Sequence, residues 1–346
     1  MVILYIFSFI FIISPFLPAI KHPHWFFRTA DFIRLQSIAI QIILIILLFF
    51  FGNINNYLDW ILAIALIGAA LYQINKVYKY SSLFPRKKTN FTSNGMITLF
   101  AANVLQTNKE YDKLIAEIKE KDPDIVVTME SNKAWEKGIS SIEKTYPYQL
   151  KAPNEAFYGM HVYSKRTFDN AEIKYQVENH VPSIFFDMNI NETDAIHFCF
   201  LHPAPPSPTE NETSIERDAE LMLTAKTIRN LNKPIVVCGD MNDVVWSRTT
   251  RLFKKITGMI DPRIGRGFFS TYSAEYWFMR FPLDHLFHTK DLFIGKMERS
   301  KNFGSDHFAM YYEIQLKQKK KTPDTPIINQ EDKKVVKDII NNIKDS

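Results

Sequence analysis

Three long apolar runs crowd the first eighty residues, and they limit this chain more than any other feature. "MVILYIFSFIFIISPFLPAI" covers Met1 to Ile20, "SIAIQIILIILLFFFGNI" covers Ser37 to Ile54, and "YLDWILAIALIGAALYQI" covers Tyr57 to Ile74. A hydrocarbon layer about 30 Å thick needs about 20 helical residues at about 1.5 Å each. Each run is close to that length, and between Leu35 and Ile74 the only charged residue is Asp59, near a run's end. Helices that are apolar on every side would need a very large protein core to bury them, whereas a bilayer accepts them directly. The sequence therefore predicts a three-span transmembrane anchor over residues 1–80. No Lys or Arg precedes Lys21, so the first run reads as a retained span rather than a cleaved signal, with Pro15 kinking or ending it.

Charge divides the chain into three parts. The formal net charge of +5 is made of +6 over residues 1–95, −4 over 96–316 and +3 over 317–346. The basic balance thus belongs to the anchor and the tail. A mildly acidic body is a poor electrostatic footprint for gripping long nucleic acid, although it leaves room for a local basic patch. Loop 21–34 carries Lys21, Arg28 and Arg34, and the stretch after the third run carries Lys76, Lys79, Arg86, Lys87 and Lys88. Three spans put these two segments on one side, which the positive-inside rule makes cytoplasmic. Loop 21–34 also reads as an interfacial helix, and that reading leaves the side of the membrane open. Cys199 and Cys238 both sit in apolar runs and read as small core residues.

"SSLFPRKKTNFTSNG", 81–95, is the expected linker to a soluble body over 96–316. Strands are expected at 96–104, 124–130, 159–166, 183–190, 195–202, 234–240, 281–289 and 307–316, with helices at 108–124 and 211–232. Helices between some strands and runs of strands elsewhere suggest an α/β body of two packed sheets flanked by helices. No G-x-G-x-x-G or P-loop occurs. The tail, 317–346, starts with the basic linker "KQKKKTPDTP" and continues as a short amphipathic helix with Val335, Val336, Ile339, Ile340 and Ile343 on one stripe. Docking on the body or disorder is the favoured reading of that helix, ahead of a lipid role.

Polar residues at the ends of apolar strands carry the chemical signal. Asn103 closes "ITLFAAN", Glu130 closes "DIVVTME", His202 closes "IHFCFLH", and Asp240 closes "IVVCGD" with Asn242 two residues on. Asp306 and His307 open the last strand, and Asp284 stands inside "FPLDHLF", where a charge needs a partner. Any one of these could be a turn or a cap; the set suits hydrolysis of a phosphoester. Negative charge on phosphoryl oxygens calls for a divalent cation held by hard oxygen ligands, a carboxylate to orient or deprotonate water, and histidines to donate to the phosphate. A Cys/His zinc site is disfavoured, because no C-x-x-C or H-E-x-x-H pattern occurs.

The stretches "AANVLQTN", "KDPDIVVTME", "YGMHVYSK", "FLHPAPP", "VVCGDMND", "PLDHLF" and "FGSDHFAM", in that order, resemble the endonuclease/exonuclease/phosphatase superfamily over residues 96–316. "HPAPP", the later "ERDAEL" and the apolar runs resemble a membrane-anchored bacterial branch of it. The resemblance implies a four-layer α/β sandwich with its cleft at one end of the sheets. It implies Glu130 as principal metal ligand, with Asn103 and Asp306 completing a site for Mg2+ or Mn2+. It further implies His202 as a phosphate ligand, Asp240 as the residue that positions or activates water, Asn242 beside the scissile phosphate, His307 on the phosphoryl group, and Asp284 as a partner for a histidine. Met241 stands where an aromatic residue is frequent in this family, and "NVL" lacks the second polar residue that many nuclease members carry.

The expected function is a membrane-anchored, Mg2+-dependent phosphoesterase acting on a phosphate ester or pyrophosphate, with a lipid-linked substrate suiting the anchor. Two alternatives stand beside it: a membrane-tethered nuclease and a non-catalytic scaffold on the same fold. Residues 263–280, "RIGRGFFSTYSAEYWFMR", are the stretch in which a nucleic-acid or lipid contact is expected, with Arg263, Arg266 and Arg280 among aromatics.

Overall fold

The structure is a computed structural model that describes residues 1–53, 55–86, 93–318, 326 and 328–343. Most of the expected basic linker of the tail, part of the linker at 81–95, and Lys87 and Lys88 lie outside the described residues. The chain forms two compact units: Met1–Arg86 with Trp246–Arg248 and Arg263–Phe268, and Lys87–Val245 with Thr249–Pro262 and Phe269–Ser346.

The first unit is built on α1 (Val2–Ile13), α2 (Trp25–Phe32), α3 (Arg34–Phe51) and α4 (Tyr57–Val77). α1 stops one residue before Ser14-Pro15 and continues as a 3-10 turn to Ala19, as a proline without an N–H dictates. Three helical segments, Val2–Ala19, Arg34–Phe51 and Tyr57–Tyr80, are long and apolar enough to cross a membrane. Leu44, Leu48, Leu62 and Leu66 pack between them, while Phe9, Phe49, Phe50, Ile61 and Ile64 stay exposed. Polar side chains join the helices from inside: Gln73 Nε2 donates to Ser37 Oγ at 3.0 Å and to Gln41 Oε1 at 2.8 Å, and Gln41 Nε2 donates to Phe11 O at 2.7 Å. Such bonds hold helices together where burial of apolar surface supplies no drive between them. Asp59 is buried and accepts from Tyr5 Oη at 2.5 Å and from the Asn53 amide at 2.6 Å, so the charge within the apolar runs is satisfied locally.

The second unit contains two mixed sheets. Its elements run β1 (Ser93–Asn103), α5 (Tyr111–Lys121), β2 (Ile125–Met129), α6 (Lys133–Gly138), β3 (Tyr148–Ala152), β4 (Met160–Ser164), β5 (Asp169–Lys174), β6 (Ser183–Asn189) and β7 (Ala195–Phe200). They continue with α7 (Ile215–Ile228), β8 (Ile235–Asp240), α8 (Arg248–Thr257), β9 (Asp284–His288), β10 (Leu292–Arg299), β11 (Met310–Lys317) and α9 (Gln330–Asn341). One sheet has the order β10-β11-β1-β2-β4-β3 and the other β5-β6-β7-β8-β9. The period of two in a strand sorts residues to opposite faces. Leu99 and Ala101 of β1 meet Phe186, Phe198 and Val236 in the core between the sheets. Phe100 and Ala102 face the other way, against Leu114, Ile118 and Trp135 from α5 and α6. Cys199 and Val237 likewise turn outward onto Leu221, Ala225 and Phe253 of α7 and α8. Helix, sheet, sheet and helix are the four layers that the sequence predicts.

Val336, Ile339 and Ile340 of the tail helix α9 pack on the α7–α8 cluster. Both cysteines are buried core residues.

Candidate active site

β1 and β2 are parallel, β7 and β8 are parallel, and β9 and β11 run antiparallel to their neighbours. Strands ending at one edge and strands starting there therefore deliver their end residues to one place. Asn103 is the last residue of β1, Glu130 follows β2, His202 lies two residues beyond β7, and Asp240 ends β8. Asp284 starts β9 directly opposite Asp240, and Asp306-His307 lead into β11.

The loops that make this possible are conformationally unusual. Gly239 has φ +148°, and a Cβ there would lie 1.9 Å from Leu201 O, so only glycine lets β8 run this close to the His202 segment. Leu105 (φ 55°), Glu130 (φ 59°) and Asn242 (φ 48°) are left-handed non-glycine residues, each just past a strand end. Such conformations cost of order 1–3 kcal/mol each and gather at functional sites. In the opening to β11, Ser305 Oγ donates to Asn103 O at 2.8 Å and accepts from the His307 amide at 3.0 Å, which ties the last strand to the end of the first.

All eight predicted site residues converge. Asn103 Nδ2 donates to Glu130 Oε1 at 2.8 Å and to Asp240 Oδ2 at 3.1 Å. His307 Nδ1 lies 2.8 Å from Asp284 Oδ2, and its Nε2 lies 3.5 Å from Asp240 Oδ2. His202 Nε2 lies 4.0 Å from the same Asp240 oxygen. The Asn242 amide donates to Asp240 Oδ1 at 2.9 Å, and its side chain donates to Pro203 O at 3.0 Å, locking the loops after β7 and β8 together. Asn103, His202, Asp240, Asp284 and His307 are buried, whereas Glu130, Asn242 and Asp306 are half-buried. Glu130 and Asp306 are thus the carboxylates with partial access to solvent.

The two histidines differ electrostatically. Burial opposes a charge on His307, but the carboxylates of Asp240 and Asp284 outweigh it and raise its pKa to about 10. Burial instead lowers His202, and its Nδ1 has no hydrogen-bond partner among the described residues. Burial pushes Asp240 up, yet the charges of His307 and His202 and the Asn242 amide hold it below the ordinary carboxylate range. Glu130 rises to about 7, first through burial and then through the charges of Asp306 and Asp240, against the Asn103 hydrogen bond. Burial also raises Asp306.

Ligand atoms of Asp240, Asp284 and His307 lie within 4.8 Å of one another, a spacing consistent with a metal ion. Here, however, His307 already spans those two carboxylates. The oxygen-rich side of the cluster, with Glu130 and Asp306 repelling one another, has the donor chemistry that Mg2+ or Mn2+ takes. Asn103 turns its amide NH2 to the two carboxylates, a bridging role rather than an oxygen ligand's.

Several neighbours had no role assigned from the sequence. Tyr272 places its ring 5.0 Å from His307, and Tyr158 lies 5.7 Å from His202. The Gln106 amide reaches Glu130 Oε2 at 3.4 Å. Arg217 of α7 is buried and donates to Asn242 O at 2.9 Å. All four lie in stretches already singled out, "RIGRGFFSTYSAEYWFMR", "YGMHVYSK", "AANVLQTN" and "ERDAEL", but none of them had a role assigned there. The expected contact stretch 263–280 divides: Arg263 and Arg266 belong to the first unit, with Arg263 buried, while the exposed aromatics Tyr276, Trp277 and Phe278 and the adjacent Arg280 belong to the second.

The second unit is similar to several solved structures. Zebrafish (D. rerio) TDP2, solved with a single-strand DNA product, matches at TM-score 0.54 with 14% identity, covering 63% of this chain and 98% of that one. An endonuclease/exonuclease/phosphatase from Bacteroides vulgatus matches at 0.53 with 14% identity, covering 65% and 100%. The human Nocturnin catalytic domain with bound sulfate matches at 0.52 with 14% identity, covering 66% and 97%. At such identity these likenesses bear on the fold alone. Comparison with curated proteins gave no match. The model of the Endonuclease/Exonuclease/phosphatase family matches residues 94–307, from the first strand of the body through His307. The chain therefore belongs to that family, whose members are typically metal-dependent phosphoester hydrolases.

Proposed function

We propose that this protein is a membrane-anchored hydrolase that cleaves a phosphate ester or pyrophosphate, on a lipid-linked substrate, with Mg2+ or Mn2+. The observation that carries this reading is the convergence of Asn103, Glu130, His202, Asp240, Asp284 and His307 at one end of two sheets. Glu130 and Asp306 would form the cation site, with Asn103 bridging Glu130 to Asp240, and a bound cation would supply positive charge to the phosphoryl oxygens. Asp240, kept ionised by the charge of His307 and by the hydrogen bonds of Asn103 and the Asn242 amide, orients or deprotonates the attacking water. His307 stays protonated and donates from Nε2 to a phosphoryl oxygen, held in orientation by Asp284. His202, kept neutral by burial and with its Nδ1 unpartnered among the described residues, binds the phosphate, and Asn242 lies beside the scissile bond.

Three apolar helices long enough to span a membrane support a lipid-linked substrate, in a bacterial cytoplasmic membrane as the sequence resemblance implies. Lys21, Arg28 and Arg34 in one segment and Lys76, Lys79 and Arg86 in the other favour a cytoplasmic catalytic domain. A reporter fused after residue 346 tests the side.

The full chain, purified in detergent with Mg2+, is assayed on a diester, a monoester, a prenyl pyrophosphate and single-stranded DNA. Hydrolysis of the prenyl pyrophosphate, abolished by EDTA, supports the proposal; turnover unchanged by EDTA defeats the metal assignment. The exposed aromatics at 276–278 favour one competing reading, a tethered nuclease, which DNA as the preferred substrate would establish.

A further inference from the structure

The strip 270–274 that backs His307 also carries two arginines that the hydrolytic cluster does not use. Tyr272 lies against His307, and the Ala274 amide donates to Asp306 O at 2.6 Å. On the same strip, Ser270 O accepts from Arg299 Nη1 at 2.8 Å, and Ser273 O accepts from Arg280 Nε at 3.3 Å. Both guanidiniums then lie over one ring, that of Phe308, with their central carbons 4.2 Å (Arg299) and 5.1 Å (Arg280) from its centroid. Phe308 follows His307 directly and is bonded to the strip through its amide and Thr271 O at 3.0 Å. The arginine pair and the phosphate-handling histidine therefore share one scaffold.

Two like charges over one ring repel, and burial and then the Arg280 charge hold Arg299 below the ordinary guanidinium value. Among the described residues neither arginine has a carboxylate partner, whereas Arg34, Arg166 and Arg217 each have one. Both are half-buried rather than waving in solvent. Each guanidinium has five N–H donors in a planar fork, the geometry that meets phosphate oxygens in pairs. A fixed, uncompensated pair in a body of net charge −4 over 96–316 lacks its counter-ion.

We propose that Arg280 and Arg299 form an anion subsite beside the hydrolytic centre, which binds a second phosphate group presented with the one being cleaved. The proposal rests on the phosphoesterase reading for its meaning, but not for its test. The second phosphate is either the neighbouring phosphate of a diphosphate substrate or the headgroup of an adjacent anionic lipid. Phe308 gives both guanidiniums a platform by cation–π contact, and the 270–274 carbonyls fix their direction.

The experiment compares the full-length protein in detergent with the double variant Arg280→Gln/Arg299→Gln, which keeps side chains of similar length and hydrogen-bonding capacity. Folding is checked by thermal melting. Binding of inorganic pyrophosphate is followed in EDTA by the fluorescence of exposed Trp277, and binding to vesicles of anionic phospholipid by flotation of reconstituted or detergent-diluted protein. Kinetics are measured on a substrate with one phosphate and on a prenyl pyrophosphate. The expected result is a pyrophosphate affinity at least tenfold weaker in the variant, with KM raised to match for the pyrophosphate and both kcat and KM kept for the one-phosphate substrate. A loss confined to anionic vesicles supports the subsite and assigns it to a lipid headgroup. Unchanged binding of both probes in a folded variant overturns the proposal, as does an equal rise in KM for both substrates. A wild-type protein that hydrolyses none of the substrates removes the phosphoesterase reading, while the two binding measurements still decide the subsite.

Discussion

His307 stands between Asp240 and Asp284, two aspartates whose Cα atoms are paired across β8 and β9. Like charges opposed on adjacent strands are destabilising unless a cation separates them. The imidazolium is that cation, which is why its pKa reaches about 10. Its folded value lies above the unfolded value of about 6.5, so its contribution to stability is full below about pH 6.5 and is lost as pH rises through about 10. Asp284→Asn removes one of the two anions that hold the proton. Turnover falls about 10²-fold or more, and the alkaline limb of the pH–rate profile moves from near pH 10 toward neutrality. A pH profile of wild type and variant over pH 6–10, with circular dichroism to verify folding, checks this. An unmoved alkaline limb would show that the charge on His307 is not what the reaction uses.

Glu130 supplies a second pH dependence, on the acidic side. Burial, with Asp306 and Asp240 adding to it, brings its carboxyl to about 7. Only the ionised carboxylate binds a divalent cation, so protons compete with Mg2+ below that value. The Mg2+ concentration for half-maximal activity is expected to rise about tenfold per pH unit below pH 7 and to level off above it. Glu130→Gln removes the dependence together with most of the affinity. Titration of Mg2+ by calorimetry at pH 6 and pH 8 gives the same quantity without turnover.

The cluster was legible in the sequence because its members end apolar strands. Asn103, Glu130, His202 and Asp240 each follow a run whose burial fixes the backbone, and the parallel pairs β1–β2 and β7–β8 carry those ends to one edge. What escaped is explained by position. The unexpected strands β3, β5 and β10 are short or charged sheet edges, and "DNAEIK" of β5 is almost wholly exposed. An edge strand buries little and carries charge, so its alternation is faint. α8 was missed because "RTTRLFKKIT" holds only three large apolar residues on a narrow stripe. Tyr272 and Arg299 act through contacts made across distant segments, for which no local spacing exists. The helix at Trp25–Phe32 lies within the loop for which an interfacial helix was one reading.

A third prediction concerns stability away from the site. Glu220 of α7 is buried, accepts from Ser183 Oγ at 2.5 Å, and is raised by burial to about 7. Its folded pKa exceeds the unfolded one, so the folded state holds a proton that the unfolded state releases. Stability therefore declines as pH rises from about 4.5 to about 7, and the full cost of an ionised buried Glu220 is present above that window. Glu220→Gln keeps an oxygen for Ser183 and removes the ionisation. The variant should melt higher than wild type at pH 8, by up to about 3 kcal/mol in stability, and nearly alike at pH 5. Thermal melts at those two pH values check it, and an equal effect at both would assign the gain to packing instead.

Arg217 joins stability to catalysis in one side chain. It is buried in the first turn of α7, with Nη2 2.8 Å from Asp218 Oδ1 and 3.6 Å from Asp243 Oδ2, and with Nη1 donating to Asn242 O at 2.9 Å. Asn242 has the left-handed backbone that turns this carbonyl to α7, and its amide in turn donates to Asp240. Arg217→Met takes the cation from two buried carboxylates, a change that costs about 3–5 kcal/mol, and the variant is expected to melt well below wild type. Arg217→Lys retains the charge but not the planar fork, so it recovers part of that stability and leaves the Asn242 carbonyl less firmly held. If the guanidinium positions the Asp240–Asn242 loop for the reaction, the lysine variant loses about tenfold in kcat with little change in KM. Steady-state kinetics of Arg217→Lys at a temperature where it is fully folded separates the two roles. A kcat equal to wild type would leave Arg217 as a counter-ion for Asp218 and Asp243 alone.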